Sequence, residues 1–242
     1  MKMALKKDGT ILGLDIKDYE NDGSFIHTAG IYSLIKFATL VGCYRIRGTR
    51  MELVSVAANK GPTVQNRGVG KPTAIFTLER MVNIAAKKLG MDPVDIRLKN
   101  FVTPKDMPYT TPSGEVYESG NYPECLQKAL QAVDYAGWRK KQAEALKQGK
   151  YIGIGISTGV EPGTSNLGYY YTSSGVPEYM GSAEGAIVGV DYDGNINARI
   201  GSVDTGQGHA TVIGQVVSDM LGTTRSEEHT SELQSHHDLV CR

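Results

Sequence analysis

Two glycine-bearing stretches carry residue types that suit chemistry at a bound ligand. Asp204-Thr205-Gly206-Gln207-Gly208 follows a run in which Ile196, Ala198 and Ile200 alternate with Asn197 and Arg199, the two-residue period of a half-buried strand. Beyond it Val212, Ile213, Val216, Val217, Met220 and Leu221 recur at helical spacing, and Gly222 stands where a helix C-cap belongs. A strand–turn–helix unit leaves backbone N–H groups without intrahelical partners at the positive pole of the helix, which suits an anion such as phosphate. Gly206 and Gly208 let a flat ligand approach the backbone. Gln207 offers donors and an acceptor together, the pattern that reads the edge of a heterocycle. The same turn can also be no more than a joint between strand and helix.

The second stretch is 59–72, NKGPTVQNRGVGKP, whose three glycines and two prolines exclude regular structure. Pro72 then opens a helix, as proline does at a first helical position. Ile75, Leu78, Val82, Ala85 and Leu89 step by three and four along one face, and Gly90 ends it. The Arg67-Gly68-Val69-Gly70 loop therefore also runs into a helix N-terminus. Two such loops in one chain favour a shared ligand, gripped between Arg67 and Gln207 in one cleft. Arg67 can alternatively be a solvated loop charge.

The remaining elements position these loops. Residues 1–16 read as a β-hairpin around Asp8-Gly9, and Asn21-Asp22-Gly23 as a second turn. Residues 31–40 fit a helix or a buried strand, and 43–56 are extended. Asp92-Pro93 caps a short helix reaching Lys99. Residues 102–122, rich in Pro, Thr, Ser and Gly, read as a linker and the domain boundary. An amphipathic helix follows over 123–133, then a charged, exposed one over 137–148. Residues 151–160 form a glycine-studded apolar strand. Tyr169, Tyr170 and Tyr171 either line an aromatic pocket or stand exposed on a strand. Residues 186–192 pair with 195–202 through Asp193-Gly194.

Composition bounds the function. A chain of 242 residues with 40% hydrophobic content holds one large or two modest domains, and its zero net charge gives no ground for binding nucleic acid. No run approaches the ~18 apolar residues of a membrane span. Cys43, Cys125 and Cys241 form no CxxC pair and read as free thiols of a reducing, cytoplasmic compartment.

Residues 225–242, RSEEHTSELQSHHDLVCR, have no period that would bury a face. They resemble the in-frame translation of a sequencing-library adapter, which implies a disordered artefact. His229, His236, His237 and Asp238 are then no metal cluster. His27 and His209 alone are too few for a histidine site.

RGVGKP followed by ERMVNIAAKKLGMDPVDIRLKN resembles the molybdenum hydroxylase family: the large subunits of xanthine dehydrogenase, aldehyde oxidase and aerobic carbon monoxide dehydrogenase. Arg67, Gly68, Gly70, Pro72, Glu79, Leu89, Gly90, Asp92, Pro93, Arg97 and Asn100 match its pattern. DTGQGHATVIGQVVSDMLG resembles the family's later G-Q-G-x-x-T loop and helix, and YESGNYPECLQKAL a segment between the two. The resemblance implies an α+β fold: two molybdopterin-binding domains of mixed sheets with packed helices, both incomplete. The first covers 1–110, and linker plus second cover 111–224.

It also implies a molybdopterin carrying molybdenum, in some members extended as a cytosine dinucleotide. Arg67 and Gly68 would contact it near the metal, largely through main chain. Thr205, Gly206, Gln207 and Gly208 would contact the pterin or its phosphate. The cofactor's own sulfurs hold the metal, so no protein metal ligand is expected. The family hydroxylates small molecules with oxygen from water. Its glutamate base lies in a distal G-x-G-E stretch that this chain does not reach, and neither Glu161 nor Glu184 takes that role. No residue here is therefore assigned as catalytic, and the chain is expected to be an inactive fragment. Electrons leave through 2Fe-2S clusters and FAD on an iron–sulfur subunit and an FAD-binding subunit.

Departures narrow the substrate. Carbon monoxide enzymes place a cysteine where Gly68 stands, and purine enzymes an aromatic at the substrate-pocket position of Val69. An aldehyde or another N-heterocycle fits better. The alternatives are a purine dehydrogenase subunit using other pocket residues, or a non-catalytic cofactor-binding or assembly module.

Overall fold

The computed structural model describes residues 1–24, 31–63, 68–161, 185–204, 206–224 and 239–241, with backbone only for 31–34 and 239–241. The chain divides into two units, Met1–Gly163 and Thr164–Arg242.

In the first unit β1 (Lys2–Leu5) and β2 (Ile11–Gly23) form the antiparallel hairpin read from Asp8-Gly9. Gly9, at φ 87°, supplies the left-handed turn residue. Asn21-Asp22-Gly23 is not a separate turn. It continues β2, which pairs in parallel with β3 (Gly48–Ala57) as far as Gly23↔Ala57, with an irregularity between Asn21 and Gly23. The parallel pairing requires a crossover, and α1 (Ile31–Thr39) lies in it, which resolves that segment as helix.

α2 (Lys71–Leu89) ends at Gly90 with φ 65°, and its backbone N–H returns to Ala86 and Lys87 carbonyls. α3 (Pro93–Asn100) is capped by Asp92, whose Oδ1 accepts from Val94 N at 2.7 Å. Ile11, Leu14 and Ile16 of the sheet meet Leu78, Val82, Ala85 and Ala86 of α2 and Ile96 of α3 in one core, closed by Tyr44 and Phe101. Side-chain packing across this core ties hairpin, crossover and helices together.

The Pro-, Thr- and Ser-rich stretch over 102–122 packs on this unit rather than spanning free. A short hairpin of β4 (Tyr109–Thr110) and β5 (Val116–Tyr117) buries Tyr117, whose hydroxyl donates to Gly42 O at 2.9 Å. α4 (Tyr122–Ala132) buries Leu126, while Val133, read as part of its apolar face, stands exposed beyond its end. α5 (Tyr135–Lys147) buries nothing fully.

In the second unit β6 (Ala186–Val190) pairs antiparallel with β7 (Ile196–Ile200) around Gly194 at φ 85°. α6 (His209–Leu221) follows and ends at Gly222, φ 67°. Ile196, Ala198 and Val217 are buried with Ile213 against them, but Val212, Val216, Met220 and Leu221 stand exposed. Helical spacing alone did not separate the two sides of α6, because both are apolar. The tail read as disordered contributes β8 (Leu239–Cys241), antiparallel to β7. An open strand edge accepts any extended segment that offers backbone groups in register. Residues 225–238 lie outside the described residues, with the histidines at 229, 236 and 237. So do His27, the three tyrosines at 169–171 and Glu184. Among the described residues no helix is long and apolar enough to cross a membrane.

Candidate functional site

The first loop enters α2 through three successive residues of positive φ: Gly68 at 76°, Val69 at 37° and Gly70 at 77°. Glycine takes this conformation without cost, whereas a β-branched residue there is strained. A Cβ on Gly68 would stand 2.7 Å from Pro72 Cγ, so the position also needs the missing side chain. Lys71 N donates to Gly68 O at 3.0 Å and Ala74 N to Gly70 O at 3.1 Å, which closes the turn onto the helix. Arg67 lies outside the described residues.

Behind the loop, α2 carries a buried polar cluster that its apolar spacing did not announce. Glu79 accepts from Arg97 Nε at 3.0 Å and Nη2 at 2.7 Å, and from Thr158 N at 3.1 Å and Oγ1 at 2.9 Å; the Tyr44 hydroxyl also donates to it. Arg97 further donates to Pro93 O, Asn83 Oδ1 and Ile156 O. Burial, with the Glu79 charge second, pushes the Tyr44 hydroxyl well above its ordinary value. Five donors thus tie the carboxylate into the packing between α2, α3 and the 151–161 stretch. Residues 151–161 alternate in burial as a strand would, yet no ladder pairs them among the described residues; they lie as an arm on α2 and α3.

In the second unit the Gly206 turn shows what it prefers. Asp204 Oδ1 accepts from Gly206 N at 2.7 Å. That hydrogen bond first, with weaker help from Gly208, His209 and Gln207, holds the Asp204 carboxyl below the usual carboxylate range. Gly206 stands at φ 98° and Gly208 at φ 76°, and Gly208 is the N-cap of α6. The Gln207 side chain turns back on its own loop, Nε2 donating to Val203 O at 3.0 Å. Thr205 lies outside the described residues.

His209, the first residue of α6, holds a buried Nδ1 without a hydrogen-bond partner. In the sequence its place directly after Gly-Gln-Gly marks it, although His27 and His209 alone are too few for a histidine metal site. Among the described residues no three His, Cys, Asp or Glu side chains come together as metal ligands.

Residues 1–101 match a family model described as a molybdopterin cofactor-binding domain, and residues 128–234 match a second model of the same description. The chain belongs to the molybdenum hydroxylase family. It is 33% identical to the carbon monoxide dehydrogenase large chain of Hydrogenophaga pseudoflava, over 91% of this chain and 28% of that one. The nicotine 6-hydroxylase large subunit of Paenarthrobacter nicotinovorans is 33% identical over 76% of this chain and 22% of its own length. Quinoline 2-oxidoreductase from Pseudomonas putida 86 superposes with a TM-score of 0.73 at 29% identity, covering 90% of this chain and 28% of that one. The chain thus spans less than a third of these relatives. Its α+β fold of mixed sheets and packed helices is that of the family's molybdopterin-binding domains.

Proposed function

We propose that this chain is the molybdopterin-binding part of an oxidoreductase that hydroxylates an aldehyde or an N-heterocycle with oxygen from water. The observation that carries the reading is the match of both parts of the chain, residues 1–101 and 128–234, to molybdopterin cofactor-binding domains, beside a glycine turn that opens α6. The N-terminus of α6 at Gly208 is a place where backbone amides can receive a phosphate. His209 Nδ1, buried and lacking a partner, fits a polar edge of the pterin.

Within this reading Thr205, Gly206, Gln207 and Gly208 hold the pterin or its phosphate, and Arg67 and Gly68 hold the end nearest the metal. Val69 lines the substrate pocket, and Gly70 lets the turn close onto α2. Bound molybdopterin, a cytosine dinucleotide form included, supplies the two-electron redox centre. The chain's own residues bind and orient it. Glu79 is saturated and Glu161 is paired with Lys71, so neither serves as base. Val69 in place of an aromatic ring, and Gly68 in place of cysteine, favour an aldehyde or N-heterocycle over xanthine or carbon monoxide. The nicotine and quinoline relatives support that class. An iron–sulfur subunit and an FAD-binding subunit complete the electron path, in the cytoplasm, where the free thiols Cys43 and Cys125 stay reduced.

The test is Gln207→Ala in the full-length protein. Molybdenum and pterin content after purification should fall severalfold with the fold retained; unchanged loading removes Gln207 from the site.

A further inference from the structure

One face of α2 runs from the glycine loop to the buried carboxylate, and the 151–161 arm follows it in the opposite direction. Lys71, Ile75 and Glu79 succeed one another at four-residue steps, so they lie on one side of the helix over about 12 Å. Thr158 bonds Glu79 through N and Oγ1. Gly159 then passes Ile75 so closely that a Cβ there would lie 2.8 Å from Ile75 Cδ1. Glu161 Oε1 meets Lys71 Nζ at 3.0 Å. The arm thus reaches the head of the helix at its last described residues.

Lys71 holds two things at once. Its backbone N–H donates to Gly68 O at 3.0 Å and fixes the turn, while its ammonium holds Glu161. Its side chain is only 15% exposed, whereas that of Glu161 is 62% exposed. The ammonium is therefore drawn in along the arm instead of extending into solvent.

We infer that Lys71 and Glu161 are positioning residues of the ligand site: their ion pair locks the arm to the head of α2 and thereby fixes the Gly68–Val69–Gly70 turn in its ligand-holding shape. This rests on the molybdopterin reading above. Glu79 and Thr158 anchor the deep end of the arm, where loss would unfold the packing. Lys71–Glu161 secures the shallow end, where loss frees the turn and spares the core.

The experiment uses the full-length protein expressed with its partner subunits, comparing Glu161→Gln, Lys71→Met, the charge swap Lys71→Glu/Glu161→Lys, and Gln207→Ala. The readout is the rate at which molybdenum and pterin are lost on dilution, beside the thermal midpoint. With Lys71 drawn in and Glu161 largely exposed, the pair contributes at the upper end of the surface range, so each single variant should lose cofactor about fivefold faster at an unchanged midpoint. The swap should return the rate to within about twofold of wild type. Wild-type retention in both single variants overturns the inference, as does a swap no better than the singles. If Gln207→Ala speeds loss and Glu161→Gln does not, only the positioning role fails. If neither does, the assignment of Gln207 to the ligand site fails together with the positioning role.

Discussion

Arg97 and Glu79, 18 residues apart on different helices, meet with Nη2 2.7 Å from Oε2, their side chains 0% and 4% exposed. A buried ion pair stabilises little in itself, because desolvation offsets the attraction, but removing one partner leaves a charge without compensation. Glu79→Ala should therefore lower stability by about 3–5 kcal/mol, read as a lower urea midpoint. Replacing both by Leu and Met should not recover it, since Thr158 N and the Tyr44 hydroxyl would still lack their acceptor. Full recovery in the double variant would show that the pair alone matters.

Val69 is a β-branched residue at φ 37° between two glycines of positive φ. Left-handed backbone costs an L-residue roughly 1–2 kcal/mol, and glycine avoids that while making the unfolded chain more flexible. Val69→Gly should leave a net gain of about 0.5–1 kcal/mol, measured by urea denaturation. A fall in midpoint would mean that the valine side chain packs and that its conformation is not strained.

Glu20 gives a pH dependence. Burial first, then the neighbouring Asp22 and Asp18 charges, raise its pKa above the ordinary 4.5, with Lys36 opposing. Its Oε2 is buried without a hydrogen-bond partner. A carboxyl raised in the folded state binds its proton more tightly there than in the unfolded chain. Its contribution is thus favourable at and below the unfolded pKa and is lost as pH rises through the folded one. Glu20→Gln should stabilise the chain at pH 7 and flatten the stability profile just above pH 4.5, followed by thermal melts across pH 4 to 7. An unaltered profile would assign that slope to other groups.

The two thiols of the first unit should separate under alkylation. Burial pushes Cys43 up to about 12 and leaves it 3% exposed, whereas Cys125 is exposed on α4. Iodoacetamide at pH 8 should label Cys125 in the native protein and Cys43 only after denaturation, as peptide mass mapping would show. Native labelling of Cys43 would mean that the core around Tyr44 opens.

Local order determined a large part of this. The alternation of Ile196, Ala198 and Ile200, the periodicity of α2 and the caps Asp92, Gly90 and Gly222 are properties of a few adjacent residues. Their backbone preferences and apolar faces declare themselves without the rest of the chain, so those elements stand where the sequence places them. The two glycine turns were legible for the same reason, each being fused to its own helix.

What the sequence could not decide was which polar residues are buried and against what. Glu79 looks like one more solvent-facing residue of α2, and its burial follows only when Arg97, Tyr44 and Thr158 arrive from elsewhere in the chain. The 102–122 stretch has the composition of a linker, yet Tyr117 finds the Gly42 carbonyl. The lock of Glu161 on Lys71, 90 residues apart, is likewise a product of the arm's path along α2. Short-range periodicity specifies the elements; only folding brings together charges whose attraction depends on distance and on the water excluded around them.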